Sequence, residues 1–323
     1  MCKYFAENMK SIPKTMLILA VMAAAGCSAD RYETFSGYAQ GGTYSVKVNL
    51  NGVTVPDKII AASIDSLLEE IDFSISGYNK NSLLSRRNAG EEIVPDRHFR
   101  ALLDLSEKYS AMTDGAFDVW AAPLFDIWGF GFTADSLPSQ ERITEAKALC
   151  KEHKVLNFNA IAQGYTCDVI ASYLYSIGVK DMLVDIGEIY CDGLNPHGKG
   201  WSIGVDNPVD GNDTPGRDLR GIWRSDGSGQ GIVTSGNYRK FYIRDGKKYA
   251  HTIDPRTGMP VQHNLLSATI VAPSAAEADA LATACMVMGP EAAREFVLSR
   301  PEIEACLITS DGTWASEGFK TEK

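Results

Sequence analysis

The chain has 323 residues, of which 45% are hydrophobic and 22% are charged, a composition typical of a globular protein with a sizeable core. Its formal net charge is −10 at pH 7, and the sequence contains no long run of Lys or Arg. Nucleic-acid binding depends on a basic surface, so that class of function is not expected.

The N-terminal residues have the organisation of an export signal. Lysines precede an apolar run at residues 16–25, which is too short to span a bilayer as a mature helix. Small residues then lead directly to Cys27, a pattern that resembles a bacterial lipobox. We therefore predict a lipoprotein signal peptide over residues 1–26, lipidation of Cys27 and a tether over residues 27–40. An ordinary signal peptide beside an incidental cysteine is the alternative.

The remaining cysteines do not form a recognisable framework. They are scattered, with no CxxC pair and no regular spacing, at positions 150, 167, 191, 285 and 306. Neither a zinc site nor a set of disulfides is therefore indicated, and buried free thiols are expected.

In the first half of the chain, the spacing of apolar residues predicts one strand and several helices. Alternation over Thr43–Leu50 is typical of a half-buried strand. Apolar residues at helical spacing predict helices around Ile60–Ile71 and Leu102–Tyr109, and Ser139–Cys150 is expected to form a surface helix. The segment Gly115–Phe132 has too many Gly and Pro residues for one regular element.

In the second half, residues 157–178 run from an apolar strand end into a helix that a glycine closes. Ser274 and Glu277 form a capping box that opens a helix, and a further helix follows it. Residues 207–229 are rich in Gly, Asp and Pro, and we expect them to form an exposed excursion. Strands are predicted at residues 182–190, 201–205, 230–234, 238–244, 247–252 and 266–272.

The order of these elements indicates the fold class. Helices and strands alternate irregularly and several hairpins are predicted, which favours an α+β fold over a doubly wound sheet. We therefore expect mixed, mostly antiparallel sheets with packed helices.

The segment Tyr249–Asn264 concentrates reactive side chains after a predicted hairpin. The dipeptide Asp245-Gly246 favours a tight turn, so a strand leads to His251. Two prolines and a glycine then fix a non-repetitive backbone that presents side chains. An imidazole, a carboxylate, a guanidinium and a hydroxyl lie within residues 251–257. On spacing alone, an ordinary loop after a hairpin explains the segment equally well.

The helix after Ser274 carries two oxygen-bearing side chains on one face. Asp279 and Thr283 are at positions i and i+4, so they project from the same side, among Ala, Leu and Met residues. A carboxylate in such apolar surroundings needs a partner, and carboxylate, hydroxyl and carbonyl oxygens suit a hard cation such as Mg²⁺. Considered alone, the pair has a simpler explanation, because the helix dipole stabilises an Asp near a helix N-terminus.

Seven sequence blocks lie between residue 42 and about residue 290. They are GTY at 42–44, SGYNKNS at 76–82 with RN at 87–88, GAFD at 115–118 with PL at 123–124 and WGFG at 128–131, NFNAIAQGY at 157–165 with Asp168, TSGNY at 234–238, HTIDPRTGMP at 251–260, and EADALAT at 277–283. In this order the blocks resemble the ApbE family of FAD:protein FMN transferases. The most specific of them has the form HxIDPxTGxP.

The resemblance implies a single ApbE-like domain over residues 41–323. It implies Mg²⁺-dependent transfer of FMN from FAD to a Thr or Ser hydroxyl of a target protein, with release of AMP. The implied targets are flavin-acceptor domains of the sodium-pumping NADH:quinone reductase and Rnf types, or extracytoplasmic FMN-binding domains. A lipoprotein anchored at the periplasmic side of a bacterial envelope membrane fits these targets, since they face outside the cytoplasm.

Carried over residue by residue, the resemblance also implies a site. His251 would lie at the pyrophosphate as the candidate base or orienting acceptor for the incoming hydroxyl, with Asp254 as the alternative. Tyr78 would lie against the flavin ring, and Ile253 would pack on FAD. The remaining FAD contacts would come from Ala116, Phe117, Asp118, Asn157 and Gln163. Mg²⁺ would be held by the carbonyls of Ala160 and Ala282 and by the side chains of Asp279 and Thr283, where it would stabilise charge on the phosphoryl oxygens and on the departing AMP.

The chain departs from the family pattern at several positions. Asn157 stands where the family has an Asp and Gln163 where it has a Lys, so both positions keep hydrogen-bonding capacity but lose charge. Gly41 and Trp120 replace a common Met and a common Thr. Two other functions would use the same site: Mg²⁺-dependent hydrolysis of FAD to FMN and AMP, and flavin binding without turnover by a periplasmic lipoprotein.

Overall fold

A computed structural model of the chain describes residues 31–130, 137–209, 212, 214, 216–238, 241–244 and 247–322. Residues 32–323 form one compact unit. No helix within the described ranges has the length and apolarity needed to cross a membrane. The predicted signal peptide over 1–26 and the predicted lipidation site Cys27 lie outside the described residues.

The described ranges contain α-helices, one 3₁₀ turn and short to medium strands. The helices are α1 Asp57–Ile75, α2 Leu83–Asn88, α3 Arg97–Met112, α4 Ala122–Ile127, α5 Gln140–Lys151, α6 Ala162–Ser176, α7 Ala275–Met288 and α8 Pro290–Leu298, with the 3₁₀ turn at Val119–Ala121. The strands are β1 Tyr32–Ala39, β2 Gly42–Asn49, β3 Met182–Asp185, β4 Ile189–Asp192, β5 Ser202–Asp206, β6 Leu219–Arg224, β7 Gln230–Gly236, β8 Phe241–Arg244, β9 Lys247–Ala250, β10 Ile253–Asp254, β11 Met259–Pro260, β12 Leu265–Ala272, β13 Glu304–Thr309, β14 Thr313–Ala315 and β15 Thr321–Glu322.

Eight strands form the main sheet, in the order β1-β2-β3-β4-β7-β12-β13-β14. Every neighbouring pair in this sheet is antiparallel. Strands β15, β6 and β5 form a second antiparallel sheet, while β8–β9 and β10–β11 are separate hairpins. The predicted α+β class, with mostly antiparallel sheets and packed helices, is confirmed.

The main sheet is covered on both faces, because successive side chains of its strands enter different cores. On β13, Ala305 and Leu307 pack in the core formed with the helices. Cys306 and Ile308 alternate with them and pack with Trp223 of the three-stranded sheet. Helix α7 contributes most of its residues to the first core and is buried on all sides, so it is a central helix rather than an amphipathic surface one.

The N-terminus of α7 is held at a junction with α6. Ser274 Oγ accepts from the Glu277 N–H at 3.1 Å, so the predicted N-cap is confirmed. The Asp168 carboxylate of α6 accepts from the N–H groups of Ala275 at 2.8 Å and Ala276 at 2.9 Å. These bonds satisfy N–H groups that a helix start leaves unpaired, and the negative charge complements the helix dipole. Burial nevertheless raises the pKa of Asp168 to about 6.

Two glycines allow the close approach at this junction. A Cβ on Gly164 of α6 would lie 2.3 Å from the carbonyl oxygen of Ala275, and a Cβ on Gly231 of β7 would lie 2.3 Å from the Ala275 Cα. Ala275 thus lies between α6 and β7, so close to both that positions 164 and 231 have room only for the hydrogen of a glycine. The position of α7 relative to the start of α6 follows from these contacts.

Several element predictions are corrected by the structure. The tether predicted over 27–40 ends earlier, because β1 occupies most of that range and pairs with β2 along its whole length. The strand predicted over 182–190 is two strands, because the chain reverses around Gly187, whose φ is +99°. Strand β6 lies inside the predicted excursion at 207–229, where it pairs with β5 and buries Trp223.

Other differences concern elements that carried weak signals. Residues 157–161 contain no strand and lead directly into α6. Strands β13 and β14 were not predicted. The predicted turn at Asp245-Gly246 lies outside the described residues, although β8 and β9 pair with Arg244 opposite Lys247.

Replacing Gly231 with Ala should destabilise the protein by about 3 kcal/mol, because the added methyl group would meet backbone atoms of Ala275 that cannot move aside. Gly312→Ala is the matched control, since a Cβ at Gly312 meets no atom within 4 Å. Urea unfolding followed by circular dichroism measures both variants. Equal unfolding midpoints would show that β7 and α7 are not held at this distance.

Candidate active site

A cleft of about 1160 Å³ follows one side of α1. Its wall includes side chains between Asp65 and Ile75, so it extends along the helix for about 15 Å, at 1.5 Å per residue. The β1–β2 turn at Tyr38–Gly41, the loop at Ser76–Asn79 and the start of α6 complete the walls.

Tyr78, the predicted flavin contact, lines this cleft and is 74% exposed. The loop that carries it is fixed to the end of α1. Ser76 Oγ accepts from the N–H groups of Tyr78 at 3.3 Å and Asn79 at 3.2 Å, and Asn79 Nδ2 donates to Asp72 Oδ2 at 2.6 Å. A fixed loop with an exposed phenol ring offers a ready surface for stacking against a planar ligand.

The predicted polar contacts Asn157 and Gln163 lie around the start of α6. Asn157 Oδ1 accepts from the Asn159 N–H at 2.8 Å, which shapes the turn before the helix. Gln163 lines the cleft, and its Nε2 donates to the Ile186 carbonyl at 3.0 Å. A Cβ at Gly187 would come within 2.6 Å of Gln163 Nε2, so glycine is needed there for the amide to approach. The Gln163 amide is therefore positioned by β3 and the turn that follows it.

The predicted metal ligand Asp279 is buried where α6 meets α7. Its side chain is only 5% exposed, and its Oδ2 accepts from the Gly164 N–H at 3.1 Å. Burial raises the pKa of the Asp279 carboxyl to about 7, and the hydrogen bond from Gly164 opposes that rise. The ionised form of this group therefore lacks a counter-charge, which a bound cation would provide.

The Gly164 N–H is one of the donors that the start of α6 leaves without a helical acceptor. Ile161 is the N-cap of α6, and the first helical bond runs from the Tyr165 N–H to the Ile161 carbonyl at 2.9 Å. Asp279 of α7 therefore satisfies a donor that the helix itself cannot. Ala160 precedes the N-cap, so its carbonyl has no helical partner either. A carboxylate and a carbonyl oxygen are ligand types that suit a hard divalent cation.

The other two predicted ligands lie one turn further along α7. Thr283 is half-buried, with its Oγ1 at 3.4 Å from Ser235 Oγ of β7, while Ala282 is fully buried. Among the described residues, no group of three or more His, Cys, Asp or Glu side chains could hold a metal ion. A site here would therefore combine the single carboxylate of Asp279 with hydroxyl and carbonyl oxygens.

The predicted FAD contacts Ala116, Phe117 and Asp118 differ in accessibility. The side chains of Ala116 and Phe117 are each 1% exposed, and Phe117 packs edge-on against Tyr109 with 6.4 Å between ring centroids. Both side chains belong to the core, so only their backbone could reach a ligand. Asp118 is half-buried, its Oδ1 accepts from the Trp120 N–H at 2.8 Å, and burial raises the pKa of its carboxyl.

The HTIDPRTGMP block forms the β10–β11 hairpin, with Ile253 opposite Pro260. Ile253 is 1% exposed and packs in a small core with Leu124 and Trp128. The indole Nε1 of Trp128 donates to the Gly258 carbonyl at 2.8 Å, which ties the turn of the hairpin to the same core. The side chain of Ile253 therefore anchors the hairpin, and it is not offered to a ligand in this structure.

The two candidate bases in this block have different surroundings. Both carboxylate oxygens of Asp254 accept from the Arg256 guanidinium, at 2.9 and 3.1 Å, and Oδ1 also accepts from the Arg256 N–H at 2.9 Å. Asp254 is thereby committed to bracing the hairpin. His251 is half-buried two residues before β10, with its ring edge-on to Phe130 at 6.3 Å. The pairing with Arg256 makes Asp254 the weaker of the two candidate bases.

Comparison with known proteins identifies the family. The sequence model of the ApbE family matches residues 41–307. The chain belongs to the ApbE family. A curated relative from Escherichia coli strain K12, named FAD:protein FMN transferase, is 34% identical over 287 residues and covers 80% of each chain. A relative of the same name from Vibrio cholerae is 33% identical over 330 residues, covering 94% of this chain and 96% of its own.

Solved structures of ApbE proteins share the fold. The flavin transferase ApbE from Vibrio cholerae superposes with a TM-score of 0.77 at 31% identity, over 89% of this chain and 98% of that one. The apo form of the flavinyl transferase ApbE from Pseudomonas stutzeri gives a TM-score of 0.78 at 32% identity, over 89% and 95% of the two chains. The family and fold inferred from the sequence blocks are thereby confirmed.

Two residues that support this ApbE site had no role predicted for them from the sequence. Asp168 caps α7, and Ser235 contacts the predicted ligand Thr283. Both fall in or beside matching sequence blocks. A signal for Asp168 was available, since it is an acidic residue among apolar ones on the buried side of a helix and so requires donors. Ser235 had no such signal, because small hydroxyl residues are common in strands.

Proposed function

We propose that this protein is an FAD:protein FMN transferase. The acceptor oxygen of a Ser or Thr would bond to the FMN phosphorus, the phosphoanhydride bond would break, and AMP would leave with the electron pair. The observation that carries the proposal is the family match over residues 41–307 together with the buried Asp279–Gly164 contact beside the cleft. A buried carboxylate without a counter-charge is costly, and a catalytic metal accounts for its presence.

We propose that Asp279 and Thr283, with the carbonyls of Ala160 and Ala282, hold Mg²⁺. Support comes from the burial of the Asp279 carboxyl, which has the Gly164 N–H as its one hydrogen-bond donor among the described residues. When bound, the cation would stabilise negative charge on the phosphoryl oxygens and on the departing AMP. The hydrogen bond from Gly164 would orient the Asp279 carboxylate, leaving its other oxygen for the metal.

His251 is proposed to accept the proton of the incoming hydroxyl or to orient that hydroxyl towards phosphorus. Its place is set by the β10–β11 hairpin, which Ile253 and Trp128 anchor in the core and which Asp254 braces through Arg256. Ile253 would thus act mainly by holding His251, two residues earlier in the chain.

The proposed FAD contacts divide into side-chain and backbone contacts. Tyr78 would stack on the flavin ring from the cleft wall, and Gln163 would offer its amide oxygen while its nitrogen stays bonded to Ile186. Ala116 and Phe117 would contribute backbone groups, since their side chains are in the core. Asp118 and Asn157 would add polar contacts to the nucleotide.

The location and the targets are also proposals. The apolar run at 16–25 before Cys27 supports export and lipid anchoring at the periplasmic side of an envelope membrane. An enzyme at that location would meet extracytoplasmic flavin-acceptor domains, including those of the sodium-pumping NADH:quinone reductase and Rnf types. The acceptors would therefore be encountered outside the cytoplasm.

Incubating the chain from Ser28 with FAD, Mg²⁺ and a candidate acceptor domain should release AMP and add the mass of an FMN phosphoester to the acceptor. Mass spectrometry of the acceptor and chromatography of nucleotides measure the two products. Free FMN beside an unmodified acceptor would indicate a pyrophosphatase instead. Bound FAD without AMP would indicate a flavin-binding lipoprotein.

Asp279→Asn should abolish stabilisation by Mg²⁺, because an amide in place of the carboxylate cannot balance the charge of the cation. Thermal shift with increasing Mg²⁺ in the presence of FAD is the measurement, and turnover should fall about 100-fold. Without Mg²⁺ the variant should be at least as stable as the parent, since it removes an uncompensated buried charge. The exposed Asp104→Asn is the control; an unchanged Mg²⁺ response in Asp279→Asn would remove Asp279 from the metal site.

His251→Asn should lower kcat by about 100-fold or more and flatten the acid limb of the pH–rate profile, because it removes the proton acceptor. Asp254→Asn should instead keep the shape of the profile and reduce the free energy of unfolding by about 1 kcal/mol, since it weakens the pair with Arg256. Loss of the acid limb in Asp254→Asn, with retention in His251→Asn, would reverse the two assignments.

A further inference from the structure

A buried polar pair holds the backbone next to His251. Thr252, the residue between His251 and Ile253, donates its hydroxyl hydrogen to Asn237 Oδ1 at 2.5 Å. Thr252 is 8% exposed and Asn237 is 7% exposed, so water competes little for this bond. Loss of either partner would leave the other as an unpaired polar group in the protein interior, which is costly. The bond therefore holds the Thr252 side chain in one position.

The backbone around this pair is fixed as well. The Thr252 carbonyl accepts from the Val261 N–H at 3.1 Å, which extends the β10–β11 pairing by one residue. The Asn237 N–H donates to the Leu266 carbonyl of β12 at 2.9 Å. Because Asn237 directly follows β7, the main sheet anchors the segment that carries His251.

The apolar anchor of the same hairpin has a different effect. Ile253 packs in a core with Leu124 and Trp128, and hydrophobic attraction has no preferred direction. A hydrogen bond has a preferred distance and angle. The bond between Thr252 and Asn237 therefore adds an orientation to the chain immediately after His251, which apolar packing does not supply.

The end of β7 also reaches the proposed metal site. Ser235 Oγ lies 3.4 Å from Oγ1 of Thr283, the proposed ligand on α7. Ser235 and Asn237 are two residues apart on a chain that stays paired with β12, so their side chains leave the same face of the sheet. One stretch of backbone therefore contacts both the segment that carries the candidate base and the candidate metal ligand.

We propose that Asn237 is a positioning residue for the transfer reaction, and that it holds His251 at a fixed distance from the metal site through its bond to Thr252. The attacking hydroxyl must lie close to phosphorus in the correct alignment, and a displacement of about 1 Å can cost roughly 100-fold in rate. Asn237 itself would not touch FAD or the acceptor. The proposed transferase function is the basis of this inference, which adds a residue that the reaction requires although it does not react.

Thr252→Val is the informative variant, because valine has nearly the shape of threonine but no hydroxyl. We expect kcat for FMN transfer to fall about tenfold and the KM for FAD to change less than twofold, since His251 is displaced while the FAD contacts remain. Thr252→Ser keeps the hydroxyl and should keep at least about half of kcat. Thr269→Val is the matched control, because it removes a hydroxyl that bonds Thr234 of β7 at 2.8 Å without involving the His251 segment. It should change kcat less than twofold.

The same substitution in a His251→Asn background separates positioning from folding. If Thr252 acts through His251, Thr252→Val should lower the residual kcat less than twofold there, because the base is already absent. Asn237→Ala removes the acceptor instead of the donor, and it takes the place of Thr252→Val if that variant does not fold. A loss of about tenfold in both backgrounds, or equal losses in Thr252→Ser and Thr252→Val, would overturn the proposal.

Chemical modification gives a readout that needs neither FAD nor Mg²⁺. Diethyl pyrocarbonate acylates neutral imidazole rings, and peptide mass spectrometry follows His251 beside the exposed His197 as an internal reference. His251 is half-buried, so its modification relative to His197 should be about threefold faster in Thr252→Val, where the segment is less restrained, and unchanged in Thr269→Val. An equal ratio in the parent and both variants would show that the bond does not hold His251.

The activity of the parent separates this proposal from the proposed function. If the parent transfers FMN to an acceptor and Thr252→Val does so at the same rate, the transferase function stands and Asn237 is not a positioning residue. If the parent forms no covalent FMN adduct with any acceptor domain, the transferase function fails, and the positioning of a base for that transfer fails with it.

Discussion

The contact between the Asp168 carboxylate and the first N–H groups of α7 is the interaction on which the site depends. It ties the N-terminus of α7 to α6, and the absence of side chains at Gly164 and Gly231 lets Ala275 come close to both α6 and β7. Because α7 is one rigid helix, fixing its start also fixes the residue that follows one turn later, Asp279. The Gly164 N–H can then donate to Asp279, and the position of the Asp279 carboxylate follows from backbone packing rather than from long side chains.

This arrangement carries a cost in stability. Burial raises the pKa of Asp279 to about 7 and that of Asp168 to about 6, so both groups are less favourable as ions in the fold than in the unfolded chain. Folded-state pKa values above the unfolded ones mean that their contribution to stability is largest at acid pH and is lost as the pH rises through about 6 to 7. Asp168 recovers part of the cost from two N–H donors. Asp279 has only one such donor, and a bound cation would provide the missing partner for its charge.

The elements that could be predicted from the sequence are those whose local residue pattern matches their environment in the folded protein. The alternating strand β2, the helix α1 and the Ser274 N-cap of α7 have strong local signals and are present. Strand β1 was assigned to a tether, because its polar residues give no burial pattern and its conformation comes from pairing with β2. The site shows the same division. Asp279 was predicted as a ligand because it is an acid in an apolar helix, whereas its contact with the Gly164 N–H depends on the distance between two helices, which no local pattern encodes.

Because Asn157 and Gln163 are neutral, neither of them can neutralise the negative charge of the substrate, and the proposed metal would have to do so. Where the family pattern has an acid and a base, this chain has two amides, and both are engaged in fixing the backbone around α6. Of the residues inferred for the site, none is Lys or Arg, and the nearby guanidinium of Arg256 is already paired with Asp254. A pyrophosphate placed there would find few permanent positive charges in the described surroundings. Compensation of that charge would fall to a divalent cation at Asp279, because a His251 that accepts the proton of the incoming hydroxyl is itself neutral.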